Sequence, residues 1–319
     1  MLTAASSTSS RILVVRLGAM GDIIHALPAV VSLKHSFPGS RLTWVVEPKW
    51  APLLEDNPFV DRIVLLHRDT LAGLLESWRN LRVERYRFAV DFQGLIKSAL
   101  VASAAHADRI FGFHQTQLRE RAAALFYSHK TVSRAAHVVE KNLDLAAAAG
   151  AATLLRTFPL PAGRPEGALP SGSFVLASPL AGWRAKQWPI EHYQDLAARL
   201  KDELGMPLVL DGPPGSGLDH CSSLPGLIHA TRRAAAVVGV DSGPLHLAAA
   251  LGKPGVAIYG PTDPARNGPY GDSLRVLRSP AAVTTYKRGA FIDESMRAVS
   301  PGQVFEALKA VLGARRSLV

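Results

Sequence analysis

Residues 235–264 constrain what this chain can fold into more tightly than any other stretch. An apolar run, Ala235 to Val240, ends in Asp241-Ser242-Gly243, and a short apolar helix is expected from His246 to Leu251. Gly252-Lys253-Pro254 then breaks the chain, and a second apolar run, Val256 to Tyr259, closes on Gly260-Pro261-Thr262-Asp263. Strand, polar turn, helix and strand in that succession are the unit of a parallel α/β sheet. Small polar residues fall where the first strand hands over to the helix. In open parallel sheets ligands bind there, because backbone N–H groups and the helix dipole face the bound anion. Taken alone, the turn serves equally well as an ordinary βα connection with Asp241 or Ser242 as N-cap.

The same alternation runs through the rest of the chain. Ile12 to Val15, Leu42 to Val46, Arg62 to Leu66 and Phe88 to Asp91 read as strands. Leu27 to Leu33, Ala122 to Tyr127 and His137 to Ala149 read as helices. Around Pro159 the texture changes: residues 159–173 hold four prolines with glycines between them, a composition that breaks helix and sheet and suggests a linker. Alternation resumes with strand Phe174 to Ala177, helix Ile190 to Leu204 and strand Pro207 to Leu210. A last helix, Pro301 to Leu312, places Val304, Phe305, Leu308 and Val311 at helical spacing. The expected organisation is two doubly wound α/β domains facing across a cleft, residues 11–158 and 174–300, joined by the linker. The C-terminal helix, 301–319, is a candidate to pack back on the first domain. At 319 residues the chain is long enough for two ordinary cores.

Composition narrows the class. With 48% hydrophobic and 19% charged residues, the chain reads as globular, and no apolar stretch approaches the roughly 18 residues that span a bilayer. The first ten residues, MLTAASSTSS, have neither a basic n-region nor an apolar core, so they read as a tail and not a secretory signal. A single cysteine, Cys221, excludes an intramolecular disulfide and the usual zinc cages and fits a reducing cytoplasm. The net charge of +10 calls for an anionic partner or simply serves solubility. Because the basic residues are scattered and show no recognition-helix or zinc-finger pattern, nucleic acid is not expected. An anionic small molecule or a phosphate-rich membrane surface fits the charge as well, and charge alone does not decide between them.

Three regions could carry chemistry. The loop Leu17-Gly18-Ala19-Met20-Gly21-Asp22 follows the first strand and opens a helix, but it lacks the full G-x-G-x-x-G fingerprint of a dinucleotide site. Its glycines suggest a tight turn or close approach of a ligand. Asp22 reads either as a first-turn helix acid or as a general base. In the second half, Arg184 and Lys186 sit in the loop Ser178 to Pro189 at a strand's carboxyl end, where an anion docks or a solvated basic loop passes. In the first half Lys97, Arg119, Arg121 and His137 with Lys141 are separate basic groups that together would suit an anionic acceptor. There is no D-x-D triplet of the kind that holds a nucleotide sugar through a divalent metal, and no P-loop.

These motifs resemble those of a known family. Arg16-Leu17-Gly18-Ala19-Met20-Gly21-Asp22-Ile23-Ile24-His25-Ala26-Leu27-Pro28 is similar to the N-terminal signature of the ADP-heptose:lipopolysaccharide heptosyltransferases, glycosyltransferase family 9. So are Asp241-Ser242-Gly243-Pro244-Leu245-His246 and Tyr259 to Pro264. Asp91 to Ser98 and Ala124 to Tyr127 resemble the branch that adds the first heptose to the Kdo sugar of the inner core. The resemblance runs from Arg11 to about Leu312. It implies a GT-B fold of two Rossmann-like domains, with the acceptor on the N-terminal side and ADP-heptose on the C-terminal side. No metal and no cofactor are implied. Asp22 would be the general base, deprotonating a Kdo hydroxyl as it attacks the anomeric carbon with inversion. Lys186, with Ala181, Gly182, Ser242 and Gly243, would meet the diphosphate, and Asp241 and His246 the donor sugar or ribose. Gly18, Gly21, Lys97, Arg119, Arg121 and His137 would receive a Kdo-lipid A acceptor. The implied place of work is the cytoplasm, peripheral on the inner face of the inner membrane.

Two stretches depart from the family pattern. The loop Asp211 to Gly217 lacks the acid that commonly contacts the nucleoside just past this strand, leaving Asp219 as a displaced candidate. Gly226 to Arg233 is short where relatives carry a helix of about a dozen residues before the Ala235 to Val240 strand. Both flank the expected adenine pocket. Alternatives are a relative with another donor or acceptor, a catalytically silent nucleotide-sugar-binding protein, or an NAD-dependent dehydrogenase using Glu47. The first-loop glycines do not fit the last of these.

Overall fold

The computed structural model describes residues 10–285 and 288–316, so the N-terminal tail and the last three residues lie outside the described part. The chain divides into two units after Pro159. In the first, β1 (Arg11–Val15), α1 (Met20–Ser36), β2 (Arg41–Val46), β3 (Arg62–Leu65), α2 (Leu71–Arg82) and β4 (Phe88–Asp91) follow one another. Then come α3 (Ile96–Ala104), β5 (Ile110–Phe113), β6 (His129–Thr131) and α4 (Val138–Ala148). The strands form one sheet in the order β3-β2-β1-β4-β5-β6, and every pairing is parallel. That order reverses direction between β1 and β4, which opens a crevice at the carboxyl ends of these two strands. Central strands covered on both faces need apolar side chains pointing both ways, hence the unbroken Ile-Leu-Val-Val of β1.

The second unit repeats the plan. Its elements are β7 (Val175–Ser178), α5 (Ile190–Leu204), β8 (Leu208–Gly212), β9 (His220–Cys221), α6 (Leu224–Arg233) and β10 (Ala236–Val240). They continue with α7 (Gly243–Ala250), β11 (Gly255–Tyr259), α8 (Pro264–Asn267), β12 (Leu274–Arg278), α9 (Glu294–Arg297) and α10 (Pro301–Arg316). The sheet order is β12-β11-β10-β7-β8-β9, again all parallel, with its reversal between β10 and β7. Every residue of β10 and β11 is buried.

Four expectations from the sequence change. Residues 160–173 lie along the second unit and are not a free linker. Arg164 N–H donates to the Pro225 carbonyl, Arg232 donates to the Leu160 and Pro161 carbonyls, and the Glu166 carboxylate accepts from Ser223 N–H (2.7 Å) and Ser223 Oγ (2.6 Å). Proline-rich chain has few donors to spare, so its carbonyls are taken up by side chains of α6. Helix α10 packs in the core of the second unit, with Val304, Phe305 and Leu308 buried beside Tyr193 and Leu196 of α5. Ala122 to Tyr127 is a 3-10 turn, Arg121–Phe126, and not an α-helix.

The fourth change concerns the stretch thought short. Gly226 to Arg233 lies inside the ten-residue helix α6, so the helix before β10 is present. The compressed connection is instead between β8 and β9, parallel neighbours joined by residues 213–219 without a helix. A parallel crossover ordinarily needs a dozen or more residues. Here the turn closes on side chains: Asp219 Oδ2 accepts the Leu210 N–H at 3.2 Å. Buried Asp211 accepts from Ser222 Oγ at 2.9 Å and meets His220 Nδ1 at 2.7 Å. Burial raises the Asp211 carboxyl above the ordinary range despite its bonds to His220 and Ser222. In this structure Asp219 is a strand-edge cap.

Candidate active site

In the first unit the site assembles at the carboxyl ends of β1, β2 and β4. Asp22 lies in the first turn of α1, where its Oδ2 accepts the Ala19 N–H at 3.3 Å. This is the helix-start role its position suggests. Its other oxygen does more. Oδ1 is 2.7 Å from Arg16 Nη2, the last residue before the loop, and the two differ sharply in environment: 8% of the Arg16 side chain is exposed, against 48% of Asp22. Arg16 is pinned from behind by a bond from Nη1 to the Phe92 carbonyl. Trp44 Nε1 donates to the Arg16 carbonyl at 3.1 Å. A buried guanidinium thus holds a carboxylate whose free face is open to solvent.

The loop after β4 braces this arrangement. Asp91 is fully buried and accepts four hydrogen bonds: Tyr127 Oη at 2.7 Å, Ser98 Oγ at 2.8 Å, and the N–H groups of Gln93 at 2.9 Å and Gly94 at 3.2 Å. Burial pushes its carboxyl up, against the pull of those donors. Gly94 has φ +69°, a left-handed turn natural to glycine, and Leu118 Cδ2 would stand 2.5 Å from a Cβ there. The turn aims Gln93 Oε1 at the Leu17 N–H, 2.8 Å away. Gly18 matters for room: a Cβ would fall 2.7 Å from Trp50 Nε1.

Basic groups gather on the same edge. Glu47, just past β2, is nearly buried. It pairs with Arg68 and lies 3.8 Å from Lys97 Nζ and 3.7 Å from Lys49 Nζ. Glu120 accepts the Ile96 N–H at 2.8 Å, which sets its exposed neighbours Arg119 and Arg121 beside the start of the Lys97 helix. His137 caps α4 through Nδ1 and meets the buried His25 ring edge-on at 5.6 Å. Gly21 is buried in the first turn of α1.

In the second unit, Asp241 directly follows β10, with 5% of its side chain exposed. Its Oδ2 accepts from Lys186 Nζ at 2.9 Å, and Oδ1 is 3.5 Å from His246 Nε2. Burial alone would raise this carboxyl. The His246 hydrogen bond and the Lys186 ammonium more than offset it and hold the group well below the usual carboxylate range. Lys186 comes from the turn after β7 and lies over the Trp183 ring at 4.8 Å, with Arg288 over the same ring at 5.6 Å. Ser242 and Gly243 open α7, so their backbone N–H groups are free of helix partners by geometry. Two buried hydroxyls on this edge, Ser242 Oγ and Thr262 Oγ1, have no hydrogen-bond partner among the described residues. Buried polar atoms without partners are rare, and these two hydroxyls can bond to a polar group brought to this edge. Ala181 and exposed Gly182 lie in the loop leading to Lys186.

Sequence reasoning missed Arg16, Gln93, Glu47 as a charge hub, and Thr262. An arginine at the mouth of a buried strand was the available signal for the first. The others depend on contacts between distant segments.

Comparison with known proteins gives these halves a context. The family model for glycosyltransferase family 9 (heptosyltransferase) matches residues 74–216 and 221–290. Its break falls in the short β8–β9 connection. The chain is 31% identical to lipopolysaccharide heptosyltransferase 1 of Escherichia coli K12 over 310 residues, covering 85% of this chain and 94% of that one. It is 30% identical to the protein of that name from Pseudomonas aeruginosa, covering 82% of each. Among solved structures, E. coli heptosyltransferase WaaC with ADP superposes with a TM-score of 0.77 at 26% identity, over 94% of this chain and 99% of that one. Fold and site together define a glycosyltransferase of the GT-B class. More narrowly, the chain belongs to glycosyltransferase family 9, the heptosyltransferases.

Proposed function

We propose that this protein transfers heptose from ADP-L-glycero-D-manno-heptose to the Kdo of Kdo-lipid A in the lipopolysaccharide inner core, with inversion and without a divalent metal. The relatives named lipopolysaccharide heptosyltransferase 1, and the similarity to WaaC solved with ADP and with ADP-2-deoxy-2-fluoro heptose, support the donor and the acceptor class. The observation that carries the reading is the second-unit cradle: Lys186 held by buried Asp241 beside a helix start and two partnerless hydroxyls.

Asp22 accepts the proton of the acceptor hydroxyl while that oxygen forms its bond to the anomeric carbon from the face opposite the diphosphate. The bond from the anomeric carbon to the diphosphate oxygen breaks, and its electron pair leaves with ADP. Arg16 keeps the Asp22 carboxylate in one rotamer, its exposed face toward the acceptor. Charge building on the departing phosphate meets Lys186, Ser242 Oγ and the Gly243 N–H, with the Ala181-Gly182 loop alongside; donors already in place cost nothing to reorganise as the bond breaks. Those groups supply the positive charge a metal would otherwise bring. Asp241 and His246 face the donor sugar or ribose. Gly18 and Gly21 leave room for the acceptor, and Lys97, Arg119, Arg121 and His137 meet its carboxylate and phosphates.

Purified protein given ADP-heptose and Kdo-lipid A in the presence of EDTA should release ADP and add one heptose to the acceptor, with inverted anomeric configuration by NMR. No transfer, or transfer only on adding divalent metal, would count against the proposal. A transferase for another nucleotide sugar is the second reading, favoured by the short β8–β9 connection. Tighter competition by UDP or GDP than by ADP would select it.

A further inference from the structure

Helix α2 carries an apolar stripe that its own unit leaves uncovered. The helix rests on the sheet through small or single contacts: Ser77 and Leu81 are buried, and Ser77 Oγ donates to the Leu65 and Gly73 carbonyls at 3.1 and 2.7 Å. That narrow footing uses one face. Leu71, Leu74, Leu75 and Trp78 fall within an arc of about 100° on a neighbouring face, the i, i+3, i+4, i+7 pattern of an amphipathic helix. They are exposed: 81% for Leu71, 42% for Leu74, 57% for Leu75 and 47% for Trp78. Four large apolar side chains in one line on open surface mark a contact site.

The chemistry along the stripe's border identifies its occupant. Arg79 and Arg82 lie in the last turn, both exposed, and the Arg82 guanidinium stacks over the Trp78 ring at 5.0 Å. Leucines with a tryptophan, edged by arginines, suit the boundary between acyl chains and anionic headgroups, where the ring stays at headgroup level and the guanidinium reaches phosphate. The chain's net charge of +10 acts in the same direction. Position agrees as well. Helix α2 begins after β3 at the carboxyl edge of the sheet, the edge that carries Asp22, Glu47 and Lys97.

We infer that α2 docks this protein on an anionic phospholipid surface, its Leu71/Leu75/Trp78 stripe lying among the headgroups and Arg79 and Arg82 on their phosphates. The placement bears on the proposed function because a lipid A acceptor is anchored in such a surface, and it rests on that reading for its purpose but not for its test. The side chains concerned are exposed, so replacing them leaves the core intact.

Co-flotation with vesicles of phosphatidylglycerol and phosphatidylcholine, without donor or acceptor, reads the docking directly. The wild type should float with these vesicles and far less with phosphatidylcholine alone. Leu75→Ser/Trp78→Ser should bind more than about tenfold more weakly, since two large apolar contacts are lost. Arg79→Gln/Arg82→Gln should weaken binding and flatten its salt dependence. Both variants should keep wild-type circular dichroism and wild-type transfer to a delipidated, water-soluble Kdo acceptor, while transfer to vesicle-embedded acceptor slows. Vesicle binding that matches wild type in the apolar variant overturns the inference. So does a wild type that ignores anionic vesicles but self-associates through the stripe, shown by a dimer that Leu75→Ser/Trp78→Ser converts to monomer. Because vesicle binding needs no catalysis, a failure of the proposed transferase activity is seen separately.

Discussion

Replacing Lys186 by methionine separates the structural from the ligand-binding part of the second-unit site. The substitution keeps the length of the side chain and removes the ammonium 2.9 Å from a carboxylate that is 5% exposed. Breaking a buried ion pair by removing one partner costs about 3–5 kcal/mol. Two features reduce that here. His246 Nε2 stays 3.5 Å from the other oxygen. At neutral pH an abandoned carboxylate can also take up a proton for about 4 kcal/mol, at 1.36 kcal/mol for each of roughly three pH units above its ordinary value. A loss of about 2–4 kcal/mol is expected, or roughly 5–15 °C in Tm for a unit of this size. In the wild type Asp241 is held below the usual carboxylate range, so the stability it contributes is complete above that range and is lost as pH falls below it toward the depressed native value. In the variant, burial acts with less opposition and raises the carboxyl. Its deficit should therefore be largest at neutral pH and shrink toward about pH 5. If Lys186 meets a diphosphate, losing that charge-assisted contact should also raise the Kd for ADP roughly 10- to 150-fold by calorimetry. Lys186→Met/Asp241→Asn removes the stranded charge, so it should regain most of the Tm and none of the ADP affinity. Unchanged ADP affinity in Lys186→Met would remove the lysine from the donor site, and an unchanged Tm would refute the buried pair.

The first unit yields three more expectations. Asp22→Asn should lower kcat by about 10²- to 10⁴-fold while ADP binds as in the wild type; steady-state ADP release and calorimetry check the two halves. Gly18→Ala forces a methyl to 2.7 Å from Trp50 Nε1, and the resulting shift should cost about 1–3 kcal/mol by thermal melting, part of it recovered by adding Trp50→Leu. Tyr127→Phe takes one of four donors from buried Asp91, a loss of about 1–3 kcal/mol. Because burial already raises the Asp91 carboxyl, its contribution is present below the ordinary carboxylate range and is lost as pH rises. The Tyr127→Phe deficit should accordingly grow between acid and neutral pH, measured by denaturant titration.

The elements that sequence alone determined are those whose signal is local. A β10 of small and branched apolar residues can only be a strand buried on both faces, and Ile190 to Leu204 keeps its helical period from end to end, so both read correctly at once. Signals spread over a helix start read less well. Helix α1 begins at Met20 and not near Leu27, because Gly21 and Pro28 are both poor helix residues whose cost the surrounding buried face outweighs. Composition misled at residues 160–173, where prolines suggested a loose linker but distant side chains of α6 hold the carbonyls. The helix thought short before β10 was whole, and the compression lay one connection earlier, where Asp211, Asp219 and His220 stand in for the missing crossover helix. Only the tertiary structure decided which charges meet. Arg16 is held by a carbonyl 76 residues away, and Lys186 reaches Asp241 across 55. Periodicity reports how a segment buries its own face; it carries no record of which distant segment supplies the counter-charge.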